Sequence, residues 1–101
     1  MSIITISTAE GIGSAPIYAG LSVTGTAMAD DTVRVYYTIP QNGVMSADLN
    51  TTADINGMWS VTFDSEFYEG NHITVLARLD DKTQTTFDVT LSSVGSGARV
   101  A

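Results

Sequence analysis

The chain has 101 residues, 44% hydrophobic and 15% charged, enough for one domain with one core and too few for a second. Eleven acids against four bases give a net charge of −7, and Arg34, Arg78, Lys82 and Arg99 are scattered, which argues against the clustered cationic surface that nucleic acid or an anionic membrane requires. The absence of cysteine removes disulfides, thiolate metal sites and thiol nucleophiles together.

The N-terminus, Met1 to Thr5, lacks the basic start, apolar stretch and cleavage site of a signal peptide. The sequence therefore predicts a protein kept in the compartment where it is made, or a piece of a larger secreted chain. No apolar run approaches the ~20 residues of a membrane span. Ile3–Ser7 reads as a short first strand. Thr8–Gly20 reads as a Gly/Ala-rich connection carrying Ile12, Pro16, Ile17 and Tyr18, so that residues 1–19 form a strand and arm ahead of a core at 20–91.

From residue 21 the apolar residues alternate, as they must when one face of a strand is buried. Residues 21–27 place Leu21, Val23 and Ala27 on one face, and Asp30-Asp31 then turns the chain. Residues 32–39 place Val33, Val35, Tyr37 and Ile39 inward; Pro40-Gln-Asn-Gly43 ends the run, since proline cannot donate to a ladder and Asn-Gly accepts positive φ. A weaker strand at 44–53 has Met45, Ala47 and Leu49 as its expected inner face. After the Asp54-Ile-Asn-Gly57 turn, residues 58–64 place Trp59, Val61 and Phe63 in register. Residues 72–79 follow with Ile73, Val75, Ala77 and Leu79 inward, and residues 83–91 with Phe87, Val89 and Leu91 inward. Ser92–Ala101 reads as a Ser/Gly-rich tail. No segment carries a 3.6-residue stripe.

About seven short strands with turn signals at regular spacing predict an all-β, immunoglobulin-like β-sandwich of two antiparallel sheets in Greek-key order. A Greek-key barrel is the competing architecture; single-face burial and the strand lengths favour two packed sheets. The segments 23–27, 32–36, 52–62 and 70–80 together resemble the bacterial Ig-like domain repeated in surface adhesins and found on tailed-phage virions. The likeness covers roughly residues 20–81, with Gly25-Thr-Ala, Gly57-Met-Trp-Ser and Gly70-Asn-His in the expected order. The resemblance implies a structural or adhesive role with no catalytic residues. The expected setting is the virion, as a non-enzymatic capsid or tail decoration or accessory protein. The alternative is a repeat module of a secreted bacterial adhesin or biofilm surface protein. Partners are expected among other virion or surface proteins, possible copies of the chain included, without nucleic acid or membrane insertion.

Candidate sites are few. His72, the only histidine, falls on the outward parity at a strand start, where a solvated residue is the ordinary reading and no second imidazole completes a metal site. Asp54-Ile-Asn-Gly57 has the opening of a calcium loop, but the twelfth position is Ser65, with Glu66 one residue late. Acidic pairs at Asp30-Asp31 and Asp80-Asp81 could clamp calcium if their loops converge at one end of the sandwich, although acidic turn pairs are ordinarily just solvated, and no other cofactor is expected. Trp59, with Phe63, Tyr37 and Phe87, reads as an aromatic plug between sheets. The sharper candidate is the outward parity of 32–39 and 72–79, neighbours in such a fold: Arg34, Tyr36, Thr74, Leu76 and Arg78. Tyr and Arg are favoured at protein interfaces, so this face is expected to meet an acidic protein surface or another copy. Partial exposure of a Tyr–Leu cross-strand pair, which is common, is the plain alternative. The arm residues Ile12, Ile17 and Tyr18 are a second expected docking element.

Overall fold

β-Branched and aromatic residues in strict alternation favour pleated strands over helix, because they lose χ1 freedom on a helix and pack well on a half-buried sheet. The computed structural model, which describes residues 3–13, 16–79, 83–91 and 98–100, bears this out: strands and turns account for the described residues, with no α-helix among them. The strands are β1 (Thr5–Ile12), β2 (Ile17–Tyr18), β3 (Gly20–Thr26), β4 (Thr32–Ile39), β5 (Val44–Met45), β6 (Leu49–Thr52), β7 (Met58–Phe63), β8 (Phe67–Tyr68), β9 (His72–Arg78), β10 (Gln84–Leu91) and β11 (Ala98–Val100). A 3-10 turn, Pro40–Asn42, follows β4 and ends on Gly43 at φ 67°.

All strand pairing among the described residues is antiparallel. One sheet has the order β1-β3-β7 and a larger one the order β11-β10-β9-β4-β5, with β6 also on β4. A third ladder, β2-β8, joins Ile17 to Tyr68 and Tyr18 to Phe67. The inward faces of both main sheets contribute to one hydrophobic cluster that includes Leu21, Val23, Trp59 and Phe63 from the smaller sheet and Val33, Val35, Tyr37, Ile73, Val75 and Val89 from the larger. The result is an all-β, β-sandwich-like arrangement of antiparallel sheets. Tyr37 stands edge-on to both Phe63 and Phe67, with ring centroids 4.9 Å apart in each pair. Phe87 packs at the margin, only partly buried.

The structure departs from the sequence reading in three places. The first strand does not stop at Ser7 but runs to Ile12, because a register shift between Ile6 and Thr8 inserts one extra residue opposite β3. Such a bulge resets the in–out parity. Ile4 and Ile6 face in before it, Ala9 and Gly11 after it, so the alternation looks broken while the strand continues. Residues 8–12 and 17–20 therefore belong to the body and are not linker. Tyr18 is fully buried, with its ring laid on Gly11: a Cβ there would come within 2.6 Å of the Tyr18 Cδ1.

The predicted strand at 44–53 is two pieces, β5 and β6, with residues 46–48 between them. Ser46 causes the break: its N–H donates to the Tyr37 carbonyl at 2.9 Å while its Oγ accepts the Tyr37 N–H at 2.9 Å. One side chain thus takes the place of a ladder partner. Met45 and Ala47 point out instead of in, Leu49 is half-buried, and Ala53 is the residue that reaches the core. At the other end of the chain, residues 98–100 pair with β10 as β11, so part of the predicted tail belongs to the larger sheet; residues 92–97 and 101 lie outside the described residues.

Candidate functional site

The outward face of β4 and β9 is assembled by register. Arg34 lies directly opposite Arg78, Tyr36 opposite Leu76, and Thr38 opposite Thr74. All five residues that the sequence singled out there share one face. On the β10 side the rows continue with Gln84 beside Arg78, Thr86 beside Leu76 and Asp88 beside Thr74. On the other side Asn50 of β6 neighbours Arg34, and Met45 of β5 neighbours Thr38. Met45 is 70% exposed, whereas Tyr36 and Leu76 shield each other and are each half-buried.

The electrostatics of this face are unusual. Like charges placed directly across a ladder repel, their Cβ atoms standing ~5 Å apart. Here Arg34 and Arg78 stand in that relation, on a chain with a net charge of −7. Arg78 reaches Asp48 at 3.7 Å, with both side chains open to solvent, a contact too long and too wet to neutralise much. Arg34 has no carboxylate partner among the described residues. At the upper end, Thr74 Oγ1 donates to Asp88 Oδ1 at 2.9 Å, and His72 Nδ1 lies 2.9 Å from Thr90 Oγ1. The backbone N–H of His72 donates to Gln41 Oε1 at 2.8 Å, so the Gln41 side chain extends the ladder past the end of β4. An open depression of about 400 Å³ lies between these groups and Pro40.

No protein-family model, curated protein or solved structure matches this chain.

The remaining candidates have structural work. Asp54 Oδ1 accepts the N–H groups of Asn56 and Met58 at 2.9 and 3.0 Å, forming an Asx turn that leads into β7. Asp30 adopts φ 68°, and its N–H donates to the Ala53 carbonyl, tying the turn at 27–31 to the end of β6. Asp80 and Asp81 lie outside the described residues. Among the described residues, no three His, Asp or Glu side chains converge as metal ligands would. Of the arm residues, Tyr18 is consumed in the core while Ile12 and Ile17 remain 38% and 49% exposed. Trp59 is buried, and its indole N–H has no acceptor among the described residues.

Sequence reasoning missed Thr38, Thr86 and Asp88 as parts of the face, although the alternation of 83–91 and its hairpin to 72–79 carried that signal. Asp48 had no signal, because its position depends on the break at Ser46.

Proposed function

We propose that this chain is a non-enzymatic, immunoglobulin-like structural module that attaches through the outward face of β4 and β9 to an acidic protein surface. The sheet orders β1-β3-β7 and β10-β9-β4, with β5 and β6 added beyond β4, support that fold reading. The observation that carries the functional reading is the Arg34–Arg78 pair. Two like charges held in direct register destabilise the free molecule, and a carboxylate-bearing partner would relieve both at once through the planar, multi-donor geometry of guanidinium. Tyr36 and Leu76, in the next row, supply the apolar contact beside them.

The setting we propose is a virion, with the module decorating a phage capsid or tail. That reading draws on the resemblance of residues 20–81 to Ig-like domains of virions and adhesins. Mass spectrometry of purified particles should find the chain at stoichiometric abundance, and Arg34→Glu with Arg78→Glu should abolish its incorporation. Normal incorporation of the doubly reversed chain would overturn the interface, and recovery of the chain only in bacterial surface fractions would overturn the virion setting.

A further inference from the structure

A second surface lies on the smaller sheet and is independent of the arginine face. β7 is an edge strand, paired on one side with β3 in an unbroken register from Leu21↔Phe63 to Thr26↔Met58. The Gly57 carbonyl accepts from Ala27 on the β3 side, whereas the Met58 N–H and carbonyl both bond to Asp54 on the other side. Strand geometry alternates these directions, so the N–H and C=O groups of Ser60 and Thr62 also point away from β3. β7 forms a ladder only with β3, and none of those four groups has a hydrogen-bond partner among the described residues.

Proteins normally blunt such an edge with charge, proline, a bulge or shortness. β1, at the far side of the same sheet, has its bulge. The free side of the larger sheet is interrupted between β5 and β6. Within β7 itself these devices are missing, Met-Trp-Ser-Val-Thr-Phe being uncharged, free of proline and regular, and β6 comes close to it beside its first half. Beside its first half is an open depression of about 360 Å³, where Thr51, Thr52 and Asp54 stand across from Met58 and Ser60.

We propose that β7 binds an extended segment of a partner protein by strand addition, and that the segment carries basic residues at both ends. The charge of the edge selects it. Asp54 precedes β7, Asp64 follows it and Glu66 lies just beyond, all exposed, while no basic side chain occurs on β1, β3 or β7. The same charges disfavour a second copy of this chain as occupant. Antiparallel β7–β7 pairing would bring the Asp64 of each copy toward the Asp54 end of the other, adding like charge to two bodies of −7 each. The added strand would bond to Ser60 and Thr62 and place one side chain over the Thr51–Asp54 depression.

The test uses the full chain, 15N-labelled, with the probe peptide Lys-Lys-Thr-Val-Thr-Val-Thr-Lys-Lys. The peptide should slow amide exchange at Ser60 and Thr62 at least about tenfold and shift the emission of Trp59, the only tryptophan. Two control peptides, one with Asp in place of Lys and one N-methylated at its central residues, should each bind about tenfold more weakly or worse. Ser60→Pro should weaken binding similarly while keeping the fold, because the N–H it removes faces away from β3. Unprotected Ser60 and Thr62 amides, or equal binding of either control peptide, would overturn strand addition. Protection that grows with protein concentration in the absence of peptide would overturn the choice of a partner segment over a second copy.

Discussion

Reversing the charge of Arg34 should make this protein more stable and less able to bind. In the free chain Arg34 faces Arg78 across the β4–β9 ladder, and no carboxylate among the described residues pairs with it. Cross-strand charge pairs contribute about 0.2–1 kcal/mol, with like pairs unfavourable by similar amounts, so conversion to Glu–Arg collects both changes. Solvent exposure of the pair, and the existing contact of Arg78 with Asp48, discount that sum to about 0.5–1 kcal/mol. For a domain of this size the gain corresponds to a rise in Tm of roughly 2–8 °C at low ionic strength. Arg34→Gln should give about half the rise. Thermal unfolding followed by circular dichroism, at low salt and at 1 M NaCl, measures both variants. The rise should shrink at high salt, where the Debye length falls to ~3 Å. A Tm that is unchanged or lowered at low salt, or a rise that survives 1 M NaCl unaltered, would show that the arginine pair is not a repulsive contact and would remove the physical basis of the proposed interface.

Other outcomes follow from the packing. Tyr18→Ala should cost about 3–5 kcal/mol in denaturant unfolding, against under about 1 kcal/mol for Ile17→Ala, because the ring is fully buried and its neighbour half-exposed. Gly25→Ala should cost at least about 3 kcal/mol by the same measurement, since a Cβ would collide with the Thr5 carbonyl and the Trp59 ring, neither of which can retreat without opening the sheet. Asp54→Ala should cost about 1–2 kcal/mol through the two N–H groups it leaves without their acceptor. Calcium should leave the Tm of the parent chain unchanged. Asp30→Gly should raise stability by no more than about 0.5 kcal/mol, read from the denaturation midpoint, because relief at φ 68°, which Asp tolerates better than most residues, is offset by glycine's greater freedom in the unfolded chain.

What could be read from the sequence was what depends on local period. The strands at 32–39, 58–63, 72–78 and 84–91 are continuous alternations bounded by turn residues, and the structure forms them within a residue or two of the predicted limits. The outward residues of β4 and β9 were legible for the same reason. What escaped were features set by one atom or by distant pairing. The bulge beside Ser7 flips the parity of everything after it, and nothing in Ile-Ser-Thr announces it. The Ser46 hydroxyl breaks a strand by substituting for a backbone partner. The direct opposition of Arg34 and Arg78 depends on the register between two strands separated by more than thirty residues, which alternation alone leaves free. The open edge of β7 is a topological fact: had residues 49–52 paired with β7 instead of β4, that edge would be covered. Composition is blind to that choice.

The β2–β8 ladder also bears on how the molecule comes apart. Its two pairs join residues near 17 and 68, and Tyr18 and Phe67, both fully buried, meet there beside the ring of Tyr37. The hairpin of β9 and β10 closes over a short loop, whereas this ladder must wait until most of the chain between its ends has been placed. It is therefore expected to be absent from the folding transition state and to act as a latch set afterwards. Loosening it, for example by Tyr18→Ala, should leave the refolding rate nearly unchanged and multiply the unfolding rate. The lifetime of the folded molecule would then be governed by a two-residue clasp more than by the long strands that define its shape.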